Sequence, residues 1–287
     1  MEYEGQICRS PMERASFMLP VSVGCSYNRC HFCMLFKHLQ YRELPLEQIE
    51  GELIRVRDAG GDPERVFLGD GNAFQLSAGR LLHILELVHR YFPACTTVNM
   101  DATVPSVLDK SDGELAALAR AGVRYLYLGI ESGLDDVLAL MNKDHDLAQA
   151  REAIGRLHRA GLEYAAHMMT GIAGHGRGQE NVRALARFYN ETRPGRIVNF
   201  SLFLHRDAPL YRMIQQGRFT PAHEVENLEE ERTLLRGLDI PVEYDGFHDA
   251  LPVRVRGTLP RDREAMLARL DRAIAEQQGR EPVYAVV

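Results

Sequence analysis

Six times along the chain a short apolar run ends in glycine or a polar residue and gives way to a segment with helical spacing. The runs are FMLPVSVG, RVFLGDG, CTTVNM, VRYLYLGI, LEYAAHMMTGI and RIVNFSLFL. They are apolar at successive positions, as strands buried on both faces are, so they read as a parallel sheet covered by helices. The helices follow from their period: Leu46, Ile49, Leu53 and Val56 share a face before Gly60 and Gly61, and Ser77 stands as an N-cap ahead of Leu81, Ile84, Leu85 and Val88. Six βα units predict an α/β fold, either a barrel or an open doubly wound sheet. In both, reactive groups collect at the strand C-terminal ends, which here read GDGN, GIESG and GIAGHGRG.

Hydrophobic residues are 45% and charged residues 26% of the 287, enough for a sizeable core. A formal charge of −6 gives no global positive field, so no nucleic-acid partner is expected, and the basic run PVRVRGTLPRDR reads as a solvated face. The chain lacks a membrane-length apolar stretch, and its start, MEYEGQICRS, lacks a basic tip followed by an apolar stretch. A cytoplasmic location without a membrane partner is the expectation. Pro241, Pro252 and Pro260 interrupt the rhythm, so IPVEYDGFHDALPVRVRGTLP is expected as a loop-rich cap before a last helix around Met266, Leu270 and Ile274.

Five cysteines is an odd number, and three crowd into GCSYNRCHFC, a pattern that suits metal binding better than disulfides. Cys8 and Cys95 stand apart and read as ordinary buried residues. Four residues separate Cys25 from Cys30 and two separate Cys30 from Cys33, so one loop presents three thiolates. Structural zinc and electron-transfer clusters use four ligands, whereas three cysteines on a cubane leave one iron open to a substrate. Two alternatives stay open: His31 completing a Cys3His zinc site, and a cluster that only carries electrons. Phe32, between the last two cysteines, is a candidate apolar shield.

This loop after a first strand resembles the cluster loop of the radical S-adenosylmethionine (SAM) superfamily, in a subset with a GCSYN-type CxxxxCxxC spacing. The commonest spacing there has three residues, not four, between the first two cysteines. The resemblance runs from about Phe17 to the helix after Leu259. It implies a partial (β/α)6 barrel over 17–239, an N-terminal extension over 1–16 and a C-terminal cap with helix over 240–287. It also implies a 4Fe-4S cluster on Cys25, Cys30 and Cys33 that cleaves SAM reductively, fed by an external one-electron donor such as flavodoxin or ferredoxin. By the same resemblance Gly69, Asp70 and Gly71 grip the SAM amino group, and Glu131 and Ser132 meet its ribose and methionine. Gly171 and Gly174 lie beside the adenine, with Leu202, Phe203 and Leu204 as neighbouring backbone contacts. Glu131 has a second reading as a cap for the helix near Leu134.

For the substrate the sequence offers His248 as a substrate or proton-transfer residue and Asp101, just past the third strand, as a similar candidate. His167 and His175 stand near the expected mouth, and Tyr244, Asp245, Phe247 and Asp249 surround His248 in the expected lid. A methylthiotransferase needs a second set of cysteines, a cobalamin-dependent methylase a domain ahead of the cluster, and a peptide-modifying member a cysteine-rich extension after the barrel. Cys8 and Cys95 supply none of these, and a small-molecule substrate is expected.

Overall fold

The computed structural model describes residue 4, residues 8–248 and residues 250–287, so Asp249 of the expected lid lies outside the described residues. All six expected strands are present: β1 (Phe17–Pro20), β4 (Arg65–Gly69), β5 (Thr97–Ala102), β6 (Val123–Glu131), β7 (Glu163–Thr170) and β8 (Arg196–Ser201). Two short strands, β2 (Ser22–Val23) and β3 (Arg42–Glu43), pair antiparallel at the base of the cysteine loop. The helices are α1 (Leu46–Asp58), α2 (Ala78–Tyr91), α3 (Val104–Leu108), α4 (Asp112–Arg120), α5 (Asp135–Leu140), α6 (Leu147–Arg159), α7 (Gly178–Thr192), α8 (Pro209–Gln215), α9 (Glu224–Gly237) and α10 (Arg263–Gln277). Ser77 caps α2 by accepting from the Arg80 amide, and Ser111 forms a capping box with Glu114 at α4.

The segment expected as a loop-rich cap forms strands β9 (Val242–His248) and β10 (Val253–Leu259), an antiparallel pair with β9 parallel to β8. Hydrogen-bonded neighbours run β1-β4-β5-β6-β7-β8-β9-β10. Two physical details make strands of a segment that reads as loop. Pro241, Pro252 and Pro260 stand just outside the strands, where no ladder hydrogen bond is lost. Gly246 and Gly257 lie inside them because a Cβ would strike the Glu231 carboxylate in one case and Asp262 with Met266 in the other.

The chain divides into two compact units, residues 1–28, 35–128 and 149–164 in the first and 29–34, 129–148 and 165–287 in the second. In the first, β1 pairs with β4 and β4 with β5, over a core that includes Leu19, Phe67, Leu68, Leu81, Ile84, Leu85 and Val98. The short 3-10 helix Pro11–Glu13 puts Glu13 into this unit's interior, where it accepts from Asn99 Nδ2 at 2.8 Å and Tyr127 Oη at 2.6 Å. In the second, β7, β8, β9 and β10 pair in turn and α9 packs against α7 and α10. Among the described residues no helix is long and apolar enough to cross a membrane.

Candidate active site

In the first unit β4 ends on Gly69 and runs into Asp70 and Gly71. Gly71 has φ +61°, and a Cβ there would meet the Gly24 carbonyl and the Cys25 backbone. The turn after β4 is therefore packed directly on the start of the cysteine loop. Asp70 is 5% exposed, accepts a backbone hydrogen bond from Cys8 and leaves Oδ1 buried without a partner. Burial pushes its pKa up to about 6 against the pull of that bond. Asn72 donates to Ser26 Oγ at 3.0 Å and Thr103 Oγ1 at 3.3 Å, while its own buried Oδ1 is unpartnered. Asp101, at the end of β5, keeps part of its surface open, but its Oδ1 is buried and unpartnered. Burial first, then the Asp70 and Glu13 carboxylates, push its pKa up to about 8.

Cys30 and Cys33 belong to the second unit, where the Lys143 cation acts on both Cys30 and Glu131 at the end of β6. Lys143 Nζ lies 3.3 Å from Glu131 Oε1 and 6.0 Å from the centre of the Phe32 ring. Burial works against the Lys143 charge, but Glu131, Cys30 and Asp144 together outweigh it and hold the pKa above the ordinary lysine range. Burial likewise pushes the Cys30 thiol up to about 11; Lys143 pulls it down, and Cys33, Glu131 and Asp144 push it further up. A metal displaces such thiol protons, and the Lys143 cation favours the resulting thiolate. Glu131 does not cap the next helix, since α5 has Leu134 as its N-cap with no side-chain bond. Ser132 Oγ donates to Asn181 Oδ1 at 2.7 Å, and the Gly133 amide donates to the same oxygen at 2.9 Å.

Gly171 and Gly174 have φ +81° and +80°, conformations that favour glycine. The space at their Cβ positions is filled by the chain itself, by the Asn227 side chain at Gly171 and by the Thr220 carbonyl and Phe219 ring at Gly174. The Leu202 amide donates to the Thr170 carbonyl at 3.0 Å, which sets the end of β8 beside this turn. Leu202, Leu204, Met169, Ile172 and Ala173 share one buried apolar cluster, against which Phe32 packs. Phe203 is half-buried, and the Leu204 amide donates to the Ala285 carbonyl at 2.7 Å.

His248 is 3% exposed, with Nδ1 3.1 Å from Glu224 Oε2 and Nε2 3.0 Å from Glu231 Oε2. Burial works against its charge, but hydrogen bonds to Glu224 and Glu231 outweigh it and push the pKa up to about 9. His167 stands edge to face with Phe200 at 5.7 Å and stays neutral, its pKa lowered to about 4 by burial and then by Lys143. His175 is exposed beside Glu226, and Asp245 is buried against Arg254.

The donor set fits an iron-sulfur cluster better than a single ion. Among the described residues no group of three or more His, Cys, Asp or Glu side chains converges tightly enough to hold one metal ion. Thiolates that each bind a different iron of a cubane need not converge in that way. The zinc alternative meets the same obstacle, because His31 and the cysteines form no such converging group among the described residues; His31 donates through Nδ1 to the Leu140 carbonyl at 2.8 Å.

A family model described as the radical SAM superfamily matches residues 19–188, more than half of the chain. The chain belongs to this superfamily. Among its curated relatives, the tRNA-2-methylthio-N(6)-dimethylallyladenosine synthase of Chlorobium phaeobacteroides is 26% identical over 60% of this chain and 39% of its own length. The heme chaperone HemW of Bacillus subtilis is 25% identical over 50% of this chain and 40% of its own. The chain thus spans about two fifths of these relatives. The crystal structure of methylornithine synthase (PylB) superposes with a TM-score of 0.57 at 15% identity, covering 94% of this chain and 83% of that one, a likeness of fold.

Sequence reasoning does not reach Lys143, Asn181 or the acids of α9. Lys143 lies twelve residues past Glu131, beyond the strand-end motif, and only the folded turn after α5 returns it to that carboxylate. Glu224, Asn227, Leu228, Glu231, Leu234 and Leu235 are all buried and recur at helical spacing, so acids occupy core positions of α9. Acids at the i and i+7 positions of the stripe, with Asn227 at i+3, were the one signal available.

Proposed function

We propose that this chain is a radical SAM enzyme whose cluster is held by Cys25, Cys30 and Cys33 and whose substrate is a small molecule. The observation that carries the reading is the packing of Gly71 on Gly24 and Cys25, which joins the proposed grip on the SAM amino group to the cysteine loop. When bound, the cluster and SAM supply a one-electron cleavage that yields methionine and a 5′-deoxyadenosyl radical. The chain's own residues then bind and orient. Asp70 Oδ1 and Asn72 Oδ1 are buried acceptors ready for ammonium N–H donors, and a charge-assisted bond of that kind favours the ionised Asp70. Glu131 accepts from ribose hydroxyls while Lys143 holds its charge. Phe32 and the apolar cluster around Ile172 and Leu202 exclude water from the neighbourhood of Cys30.

Asp101 faces the substrate in this reading, since its Oδ1 is an unused acceptor. The two relatives above carry names of different kinds, a tRNA-modifying synthase and a heme chaperone, so family alone leaves the substrate class open. The formal charge of −6 favours a small molecule over RNA. An external one-electron donor of the flavodoxin or ferredoxin kind completes the scheme. The test is anaerobic reconstitution of the full chain with iron and sulfide, followed by dithionite and SAM. 5′-Deoxyadenosine is expected from the wild type and none from Cys30→Ala; equal amounts from both would overturn the reading.

A further inference from the structure

One face of α9 touches both chain segments assigned above to the adenine side of SAM. Ser201, the last residue of β8 and the neighbour of Leu202, donates through Oγ to Glu224 at 3.0 and 3.1 Å. Asn227 donates to Glu224 Oε1 at 2.9 Å and fills the space at Gly171. The Gly171 amide donates to both oxygens of Glu230, at 3.2 and 3.1 Å. The same carboxyl group lies against Gly178, the first residue of α7, where free amides of the first turn favour an acceptor. Tyr244 Oη donates to Glu231 Oε1 at 2.8 Å, and His248 stands between Glu224 and Glu231 with a ring nitrogen directed at each.

We propose that α9 is the scaffold of the adenine side of the SAM site, with Glu230 as the positioning residue that clasps the Gly171 amide and His248 as the buried counter-ion of Glu224 and Glu231. The inference rests on the reading that Gly171–Gly174 and Leu202–Leu204 contact SAM. Gly171 is then a glycine because Asn227 of α9 occupies its Cβ space, and the turn is held in shape before any ligand arrives. His248 acts through α9 and not on the substrate. An imidazolium between two carboxylates donates at both nitrogens and has no lone pair left to take a proton.

Two measurements on the full chain test the clasp. Backbone hydrogen exchange is followed on cluster-free protein, and SAM affinity on reconstituted protein through the change SAM makes in the spectrum of the reduced cluster. Glu230→Ala is expected to speed exchange across residues 169–178 and to weaken SAM binding about tenfold, with iron per chain unchanged. Glu230→Gln keeps an acceptor for Gly171 and is expected to restore both to within about twofold of the wild type. Ser201→Ala removes a single hydroxyl and is expected to loosen residues 200–206 in the same way; it decides the matter if Glu230→Ala does not fold. Unchanged exchange or unchanged SAM affinity in the loosened variants would overturn the clasp, as would a Gln variant that behaves like Ala. A wild type that binds no SAM would overturn the functional reading instead, and exchange alone would then decide whether Glu230 holds the turn.

Discussion

Two groups of buried carboxylates lie in this chain, and they differ in what satisfies them. In the first unit, Asp70 and Asp101 each keep a buried oxygen without a partner, and the charged groups acting on Asp101 are themselves carboxylates. In the second unit, Glu224 and Glu231 are closed off by Ser201, Asn227, Tyr244 and the His248 ring. A buried acid without a donor carries a desolvation penalty that a ligand can relieve, whereas a saturated one has nothing left to offer a ligand. The difference separates binding groups from scaffold. Under the two proposals above, Asp70 and Asp101 stand on the side of the chemistry and His248 on the side of the architecture.

The largest expected effect breaks the comparison at its first member. Gly71→Ala puts a methyl group against Gly24 and Cys25 at φ +61°, where the left-handed backbone alone costs about 1–2 kcal/mol. Because the displaced atoms belong to the cysteine loop, most of the iron is expected to be lost on reconstitution, as iron and sulfide analysis would read. Next comes His248→Leu, which leaves Glu224 and Glu231 buried without their cation and is expected to cost about 3–5 kcal/mol in denaturant unfolding. The His248 pKa is raised to about 9 in the fold, so its contribution is fully present below the unfolded value near 6.5 and fades as pH rises through about 9. The His248→Gln variant should therefore lose less stability between pH 6.5 and 9 than the wild type does.

Asp101→Asn sharpens the contrast with the opposite sign. The folded chain keeps Asp101 protonated up to about pH 8, while an unfolded chain ionises it near pH 4, so this group lowers stability as pH rises through that window. An amide there has no charge to bury, and the variant is expected to gain about 1–2 kcal/mol at pH 8 relative to the wild type while turnover of the true substrate falls. A variant less stable than the wild type at that pH would mean that Asp101 already has a partner in the chain.

Much of the fold was legible because period is a local property. Apolar runs closed by glycine or a polar residue give β4 to β8, and Ser77 marks a helix start wherever the chain sits. The cysteine loop and its strand-end motifs were legible for the same reason, being contiguous. The β9–β10 pair was not, because Gly246 and Gly257 read as turn residues until Glu231, Asp262 and Met266 are seen to need their space. Nor was the place of His248, since the two acids that enclose it lie 24 and 17 residues away on a separate helix. Lys143 was hidden likewise, a lysine in a polar turn until α5 brings it to Glu131 and Cys30.

The smallest effect probes the saturated group from within. Tyr244→Phe removes one neutral donor from Glu231 Oε1 and leaves the His248 contact to Oε2 intact. Glu231 then keeps its counter-ion but loses part of its solvation, and the cost is expected to be about 1 kcal/mol, an ordinary hydrogen bond and not a buried charge. The carboxylate raises the Tyr244 pKa well above the usual phenol range, after burial as the larger cause, so the hydroxyl remains a donor at every pH where the chain is studied. The penalty should accordingly be the same at pH 6 and pH 9, unlike that of the His248 variants. If Tyr244→Phe instead costs as much as His248→Leu, the acids of α9 are held by their hydroxyl and amide donors more than by the imidazolium, and His248 is free to be reconsidered as a group that exchanges its proton.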